Sequence, residues 1–212
     1  MIADGSLNAE RQGKEWAVEP RSLERNRRHP RPAGRPWKPS SVWALIALVE
    51  GYDDQLGPLD RHRARQRLDR SGLEELAPRL SSRAELRRFY CHPSGLEPLA
   101  NEEAFVRSGV SAAAEHNAGI IARDVIEGYV SYADASPLID HYGLEESTDQ
   151  PNVLMRIVQD DVWPFPPSAQ VAPRSVVALD LLETDEPRAR RAGARLLEAL
   201  HSPNATITAV DG

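Results

Sequence analysis

Four prolines, Pro30, Pro32, Pro36 and Pro39, fall within ten residues and are interspersed with arginine. Proline lacks a backbone donor, clashes with the preceding helical turn and is excluded from central strands. No regular element can therefore run through residues 29–40, which read as an extended basic linker. The linker separates a head, residues 1–28, from a body expected over residues 41–202, with residues 203–212 as a flexible tail.

Charge follows the same division. Residues 1–40 hold nine Lys/Arg against five acids, a net of about +4, so the remainder carries about −10 of the chain's −6. So acidic a body repels a polyanion, and phosphate contacts are expected from head and linker alone. The residues are Arg11, Lys14, Arg25, Arg27, Arg28, Arg31 and Arg35. Hydrophobic residues make up 41% of the chain, enough for a packed core. No apolar run reaches the length of a bilayer span, and Met1 to Gly5 does not read as a signal peptide. The expectation is a cytoplasmic protein without membrane contact. A single cysteine, Cys91, excludes an internal disulfide framework and a cysteine-rich zinc module.

Patterning predicts an α+β fold. Alternation around Gln12-Gly13 predicts a hairpin over residues 7–18, with glycine at the tip. A helix start follows at Pro20. In the body, helices are expected after Ser40 or Ser41 to Gly51, from Asp60 to Arg70 with Leu68 as its apolar anchor, and from Leu73 to Leu80. Strands are expected at Glu85 to Cys91, Val125 to Ser131 and Asn152 to Val158. The last of these places Val153, Met155 and Ile157 on one face, and Leu154, Arg156 and Val158 on the other. Ser94 is expected to cap a one-turn helix, and Ser111 to Asn117 to form an alanine-rich helix. Ser136 to Tyr142 should be a helix stopped by Gly143, and a helical pair, Arg174 to Glu183 and Arg188 to His201, should close the body.

No catalytic signature is present, so the chain is expected not to be an enzyme and to need no cofactor or metal. Cys91 and His92 are strand neighbours whose side chains diverge. His116 is expected to cap a helix C-terminus, and Asp160-Asp161 to form a solvated turn. Asp180 interrupts the apolar run Val176 to Leu182 and is expected to meet Arg191, Arg195 or Arg174. Arg31-Pro32-Ala33-Gly34-Arg35-Pro36 resembles the Gly-Arg-Pro core of minor-groove AT-hook peptides, with Ala33 where arginine is usual. A solvated tether is the main reading of that segment.

Two further resemblances bear on function. Ile2, Gly5 and Leu7, followed by Gly13 and Trp16, resemble the end of the recognition helix and the wing of an excisionase/MerR-type winged helix-turn-helix. This chain opens where that recognition helix should be finishing, so either the start site is misassigned or the module is truncated, and DNA binding in this form is expected to be weak or nonspecific. The body is similar to bacterial helix-turn-helix antitoxins of type IV, abortive-infection (AbiEi-like) loci. The strings are Arg88-Phe89-Tyr90-Cys91-His92-Pro93, Ser108-Gly109-Val110-Ser111-Ala112-Ala113, Ala178-Leu179-Asp180-Leu181-Leu182 and Asp185-Glu186-Pro187-Arg188. The resemblance implies a transcriptional regulator and antitoxin that accompanies a nucleotidyltransferase toxin. The alternative is a protein-interaction module with a vestigial DNA-binding head, and homodimerisation is compatible with either.

Overall fold

A computed structural model describes residues 9–13, 15–18, 37–147 and 149–201. The chain divides into two compact units, residues 1–36 and 37–212. In the first unit, strands β1 (Ala9–Gln12) and β2 (Glu15–Val18) pair antiparallel, with Arg11 opposite Trp16. Gly13 takes φ +67°, the left-handed geometry that the tight turn demands. The hairpin matches its sequence pattern. The helix expected from Pro20 and the arginine-proline stretch before Trp37 lie outside the described residues, as does the tail after His201.

The second unit opens with helix α1 (Pro39–Val49). It begins earlier than expected because Pro39 occupies the first helical turn, where its missing N–H costs nothing. Val42 to Ile46 are buried without interruption, so α1 is enclosed on all sides. Helix α2 (Pro58–Arg70) follows, and its buried residue is Ala64 rather than the half-buried Leu68. Helix α3 (Leu73–Leu80) buries Leu73, Leu76 and Leu80 at helical spacing and ends in a 3-10 turn, Ser81–Arg83.

The sheet of this unit contains β3 (Glu85–Tyr90), β4 (Val106–Arg107), β5 (Ile126–Ser131), β6 (Glu145–Glu146) and β7 (Val153–Val158). Their order is β4-β5-β7-β3-β6. The central pair β5 and β7 runs parallel and the other neighbours run antiparallel. Helix α6 (Tyr132–Tyr142) lies between β5 and β7 in the chain and supplies the crossover that a parallel pair needs. It starts four residues earlier than its pattern indicates, because the Ser131 side chain accepts the Asp134 N–H and caps it. Gly143 ends it in the left-handed conformation, as expected.

Other local departures have equally local causes. His92, not Ser94, is the N-cap of α4 (Pro93–Ala100), its ring accepting the Ser94 N–H. Helix α5 (Gly109–Ala112) is a single turn, and the alanine run continues as turns. Asn117 at φ 58° closes it, with Ala118 N–H on Ala113 O and Asn117 N–H on Ala114 O. The His116 ring turns away from that terminus and meets the Ala172 carbonyl at 2.9 Å. Asp160 and Asp161 begin a 3-10 turn, and Asp160 accepts the Ala133 N–H near the start of α6.

Both sheet faces are covered. On one, Phe89, Ile126, Val130, Val153, Met155 and Ile157 pack with α4 and α6. On the other, Val106, Tyr129 and Val158 join α1, α2, α3, α7 (Arg174–Leu182) and α8 (Pro187–His201). The alternation expected along β7 is therefore present. The α7–α8 contact is close: a Cβ on Gly193 would stand 2.6 Å from Ala178 O and 3.0 Å from Leu181 Cβ. Helix propensity alone favours alanine by about 1 kcal/mol. Overpacking against a backbone carbonyl reverses that sign, and Gly193→Ala should destabilise the fold by about 1–3 kcal/mol in urea titrations.

Candidate functional site

Three apolar segments each carry one buried charge: Glu127 in β5, Arg156 in β7 and Asp180 in α7. Burying an isolated ion costs several kcal/mol, so each needs a partner. The fold brings them together on the helix-rich face of the sheet and adds Arg83 from the turn after α3. Register explains the convergence. Tyr129 and Arg156 are partners across the parallel β5–β7 pair, and Glu127 lies two residues before Tyr129 on the same face.

Asp180 is the hub. Its Oδ1 accepts from Arg83 Nη2 and from the Tyr129 hydroxyl at 2.9 Å, and forms an ion pair with Arg156, whose Nε lies 2.9 Å away. Its Oδ2 accepts from Ser108 Oγ. Glu183, just beyond α7, receives Arg83 Nη1 at 2.6 Å and Arg156 Nη2 at 2.9 Å. Glu127 accepts from Arg156 Nη1 and, at 3.2 Å, from the Val110 N–H. Arg83 Nε also donates to Tyr129 Oη at 2.7 Å. Two guanidiniums and three carboxylates leave one excess negative charge, shared among Ser108, Tyr129 and the Val110 amide. Aromatic rings enclose the group: Tyr129 stands 5.8 Å from Trp43 and 5.2 Å from Phe165.

The expected partners of Asp180 are therefore corrected. Arg191 and Arg195 are exposed, on the side of α8 away from α7, and Arg174 opens α7 well over a turn from Asp180. The acid meets arginines 97 and 24 residues upstream instead. The signal was present in β7, where Arg156 is the one charge in Val153–Val158. Arg83 gave none, because it sits among polar turn residues.

The electrostatics follow from this enclosure. Burial raises the Glu127 carboxyl, and the nearby Asp180 adds to the rise against Arg156 and the Val110 amide. Burial likewise pushes the Tyr129 hydroxyl well up. Burial opposes the charge on Arg83 and Arg156 too, but the surrounding carboxylates outweigh it and both stay ionised. At Glu183 burial acts upward, while the two arginines and their hydrogen bonds win and hold the carboxyl at about 2. Its side chain is 27% exposed, the edge at which the cluster reaches the surface.

The loop before α5 is built on this cluster. Ser108 N–H donates to Glu127 O, Glu127 N–H donates to Ser111 Oγ, and Gly109 at φ +49° lies directly over the Glu127 carboxylate. A Cβ there would fall 1.8 Å from Glu127 Oε2. Ser108 to Ser111 is thus held in place by buried charge. With every carboxylate anchored on a guanidinium, the arrangement locks structure and presents no unpaired base.

Elsewhere, Glu103, Ser131, Asp134, Asp160 and Trp163 line a cleft of about 500 Å³. Two of its acids are engaged locally: Asp134 accepts from the Ser131 hydroxyl at 2.6 Å and Asp160 accepts the Ala133 amide. Cys91 is buried, which raises its thiol, and His92 turns outward to Ser94 Oγ at 2.8 Å. Among the described residues no group of His, Cys, Asp and Glu side chains is placed to hold a metal ion, and no helix is long and apolar enough to cross a membrane.

Of the basic residues expected to meet phosphate, Arg11 lies exposed on β1 next to the hairpin tip. Lys14, Arg25, Arg27, Arg28, Arg31 and Arg35 lie outside the described residues. Basic residues also gather on α2, where five arginines occur in thirteen residues. Comparison of the chain with protein-family models, with curated proteins and with solved structures gave no match.

The cluster makes two predictions. Asp180→Ala leaves two buried guanidiniums short of a carboxylate and should cost about 3–5 kcal/mol in chemical denaturation. The acid limb is the second. A carboxyl held below its unfolded value of about 4.5 contributes stability above that pH and loses it as the pH falls toward about 2. Glu127, raised in the fold, acts with the opposite sign. Glu183→Gln should therefore flatten the loss of stability between about pH 4.5 and about pH 2 relative to wild type, measured by thermal melts across that window.

Proposed function

We propose that the chain is a DNA-binding transcriptional regulator of antitoxin type, whose N-terminal unit meets duplex DNA and whose body serves a nucleotidyltransferase toxin. The observation that carries the DNA half is the β1–β2 hairpin. It is short, turned by left-handed Gly13, and has Arg11 exposed beside the tip and paired in register with Trp16. A two-stranded ribbon of this shape lies along a groove edge with its tip at the backbone, the way a winged-helix wing is used. Arg11 and Lys14 at the tip, with Arg25, Arg27 and Arg28 after it, would supply phosphate contacts. Such contacts position a duplex without reading its sequence, so the binding is mostly nonspecific and strongly salt-dependent.

The antitoxin half rests on the resemblance of the body strings. Two of them, Ser108 to Ala113 and Ala178 to Leu182, contribute Ser108 and Asp180 to one buried cluster. A body held rigid by internal charge suits a protein that presents a fixed surface to a partner.

The DNA half is tested with the full chain by fluorescence anisotropy on a labelled duplex. Replacing Arg11, Lys14, Arg25, Arg27 and Arg28 by alanine should lower affinity at least about tenfold at about 50 mM salt and flatten its salt dependence. Unchanged affinity would remove the head from DNA recognition and leave the interaction-module reading.

A further inference from the structure

We propose that the face of α2 bearing Arg63, Arg67 and Arg70 is a second docking surface for the phosphate backbone of duplex DNA, on the otherwise acidic body. The proposal deepens the DNA reading above and rests on it.

The arginines of α2 divide into two sets. Arg61 and Arg65 are paired locally, sharing one carboxylate: both reach Asp53, Arg65 at 2.9 Å and Arg61 at 3.3 Å. They flank the core side of the helix, where Ala64 is 1% exposed. Arg63, Arg67 and Arg70 stand at i, i+4 and i+7, the spacing that places side chains along one helical face, here on the opposite flank of Ala64 from Arg61 and Arg65. Arg63 and Arg70 are exposed and have no ion pair or hydrogen bond among the described residues. Arg67 is set differently: its guanidinium lies 4.3 Å from the ring centroid of Trp37, and that of Arg79 lies 5.9 Å from it. Stacking holds a planar donor in a fixed orientation and leaves its edge available to an anion.

Helix stability accounts for only part of this stripe: Arg67 and Arg70 lie in the last turn, where the helix dipole favours a cation, and Arg63 does not. Like charges at i, i+3 and i, i+4 each destabilise a helix by about 0.2–0.5 kcal/mol, and the stripe contains both spacings. A polyanion removes the repulsion. From Arg63 to Arg70 the helix rises about 10 Å, the length over which one strand of a duplex presents about three phosphates. Guanidinium forks match phosphate oxygens better than ammonium groups do. The body's net negative charge does not cancel the effect, because charges beyond about 10 Å are largely screened at 0.1 M salt. Asp69 lies off this face; Asp60 shares it, three residues before Arg63, so the face carries three arginines against one acid.

Chain continuity favours DNA over an acidic protein as the occupant. Trp37, on which Arg67 stacks, directly follows the stretch containing Arg25, Arg27, Arg28, Arg31 and Arg35. A duplex held by that stretch meets the stripe at high effective concentration, so weak contacts add to one another.

The experiment uses the full chain and a labelled duplex titrated from about 25 mM to about 200 mM salt. Arg63→Ala with Arg70→Ala should lower the slope of log K against log salt by about 1.8, since two phosphate contacts are lost. Arg63→Lys with Arg70→Lys should restore most of that slope, because the charge returns. Both positions are exposed, so melting temperatures should stay near wild type and separate lost contacts from lost folding.

Unchanged slope and affinity in the alanine pair, with both reduced in the five-residue head variant, would overturn the stripe and leave the DNA reading standing. Failure of wild type to bind duplex at the lowest salt would overturn both. Binding of poly-glutamate that depends on Arg63 and Arg70, with DNA binding unaffected by their loss, would reassign the stripe to an acidic protein and overturn the proposal.

Discussion

The body depends on one buried carboxylate. Asp180 accepts from Arg83, Tyr129 and Ser108 and pairs with Arg156, so the turn after α3, two central strands and the loop before α5 converge on α7. Replacing such a group with well-packed apolar side chains often leaves stability the same or higher, so net energy does not explain it. Geometry does. A one-residue slip of β7 against β5 would turn Arg156 to the opposite face, among Met155 and its neighbours, leaving Glu127 without a guanidinium and Asp180 and Glu183 to share Arg83. The ion cluster makes that misregistered sheet far less stable than the native one.

The rest of the unit follows from this choice of register. With Arg156 and Tyr129 on one face, Val153, Met155, Ile157, Ile126 and Val130 must occupy the other, where α4 and α6 cover them. The cluster face takes the larger helical layer, which encloses α1 over Val42 to Ile46. Glu50, just past the end of α1, accepts the Ser175 N–H at 2.7 Å. A carboxylate at a helix N-terminus is favoured by the unsatisfied amides there, so this contact aims α7, and with it Asp180, at the sheet.

How much of this was legible depends on distance along the chain. Elements with strong local patterns, such as the Gln12-Gly13 hairpin, Leu73 to Leu80 and the alternation of β7, lie where their residues indicate. Helix starts were displaced where a side chain outside the periodic pattern made the cap, as at Ser131 and His92. Strand β6 escaped notice because two glutamates resemble loop, and it owes its pairing to the neighbouring β3. Asp180 stood out as a buried acid, since no other residue of its apolar run is polar. Its partners did not, because choosing among many arginines requires sheet order, and sheet order is a long-range property. The α2 stripe was visible as arginine density. Which of those arginines share Asp53, and which have no ion pair among the described residues, depends on how the chain folds back.

The 97 residues between Arg83 and Asp180 also set a timetable for biogenesis. On a ribosome adding about 5–20 residues per second, the arginine emerges roughly 5–20 s before the acid that neutralises it. Through that interval β3 can begin to assemble, but two cations on the sheet-and-turn side have no hub to close upon. Helices α1, α2 and α3 are already available to that face, but the part of it covered by α7 and α8 must wait for them. The nascent body therefore passes through a stage with Tyr129, Val106 and Val158 only partly covered, when a chaperone that shields apolar surface has most to contribute. The feature that enforces a unique register in the finished protein thus also delays completion of its core until α7 and α8 have been made.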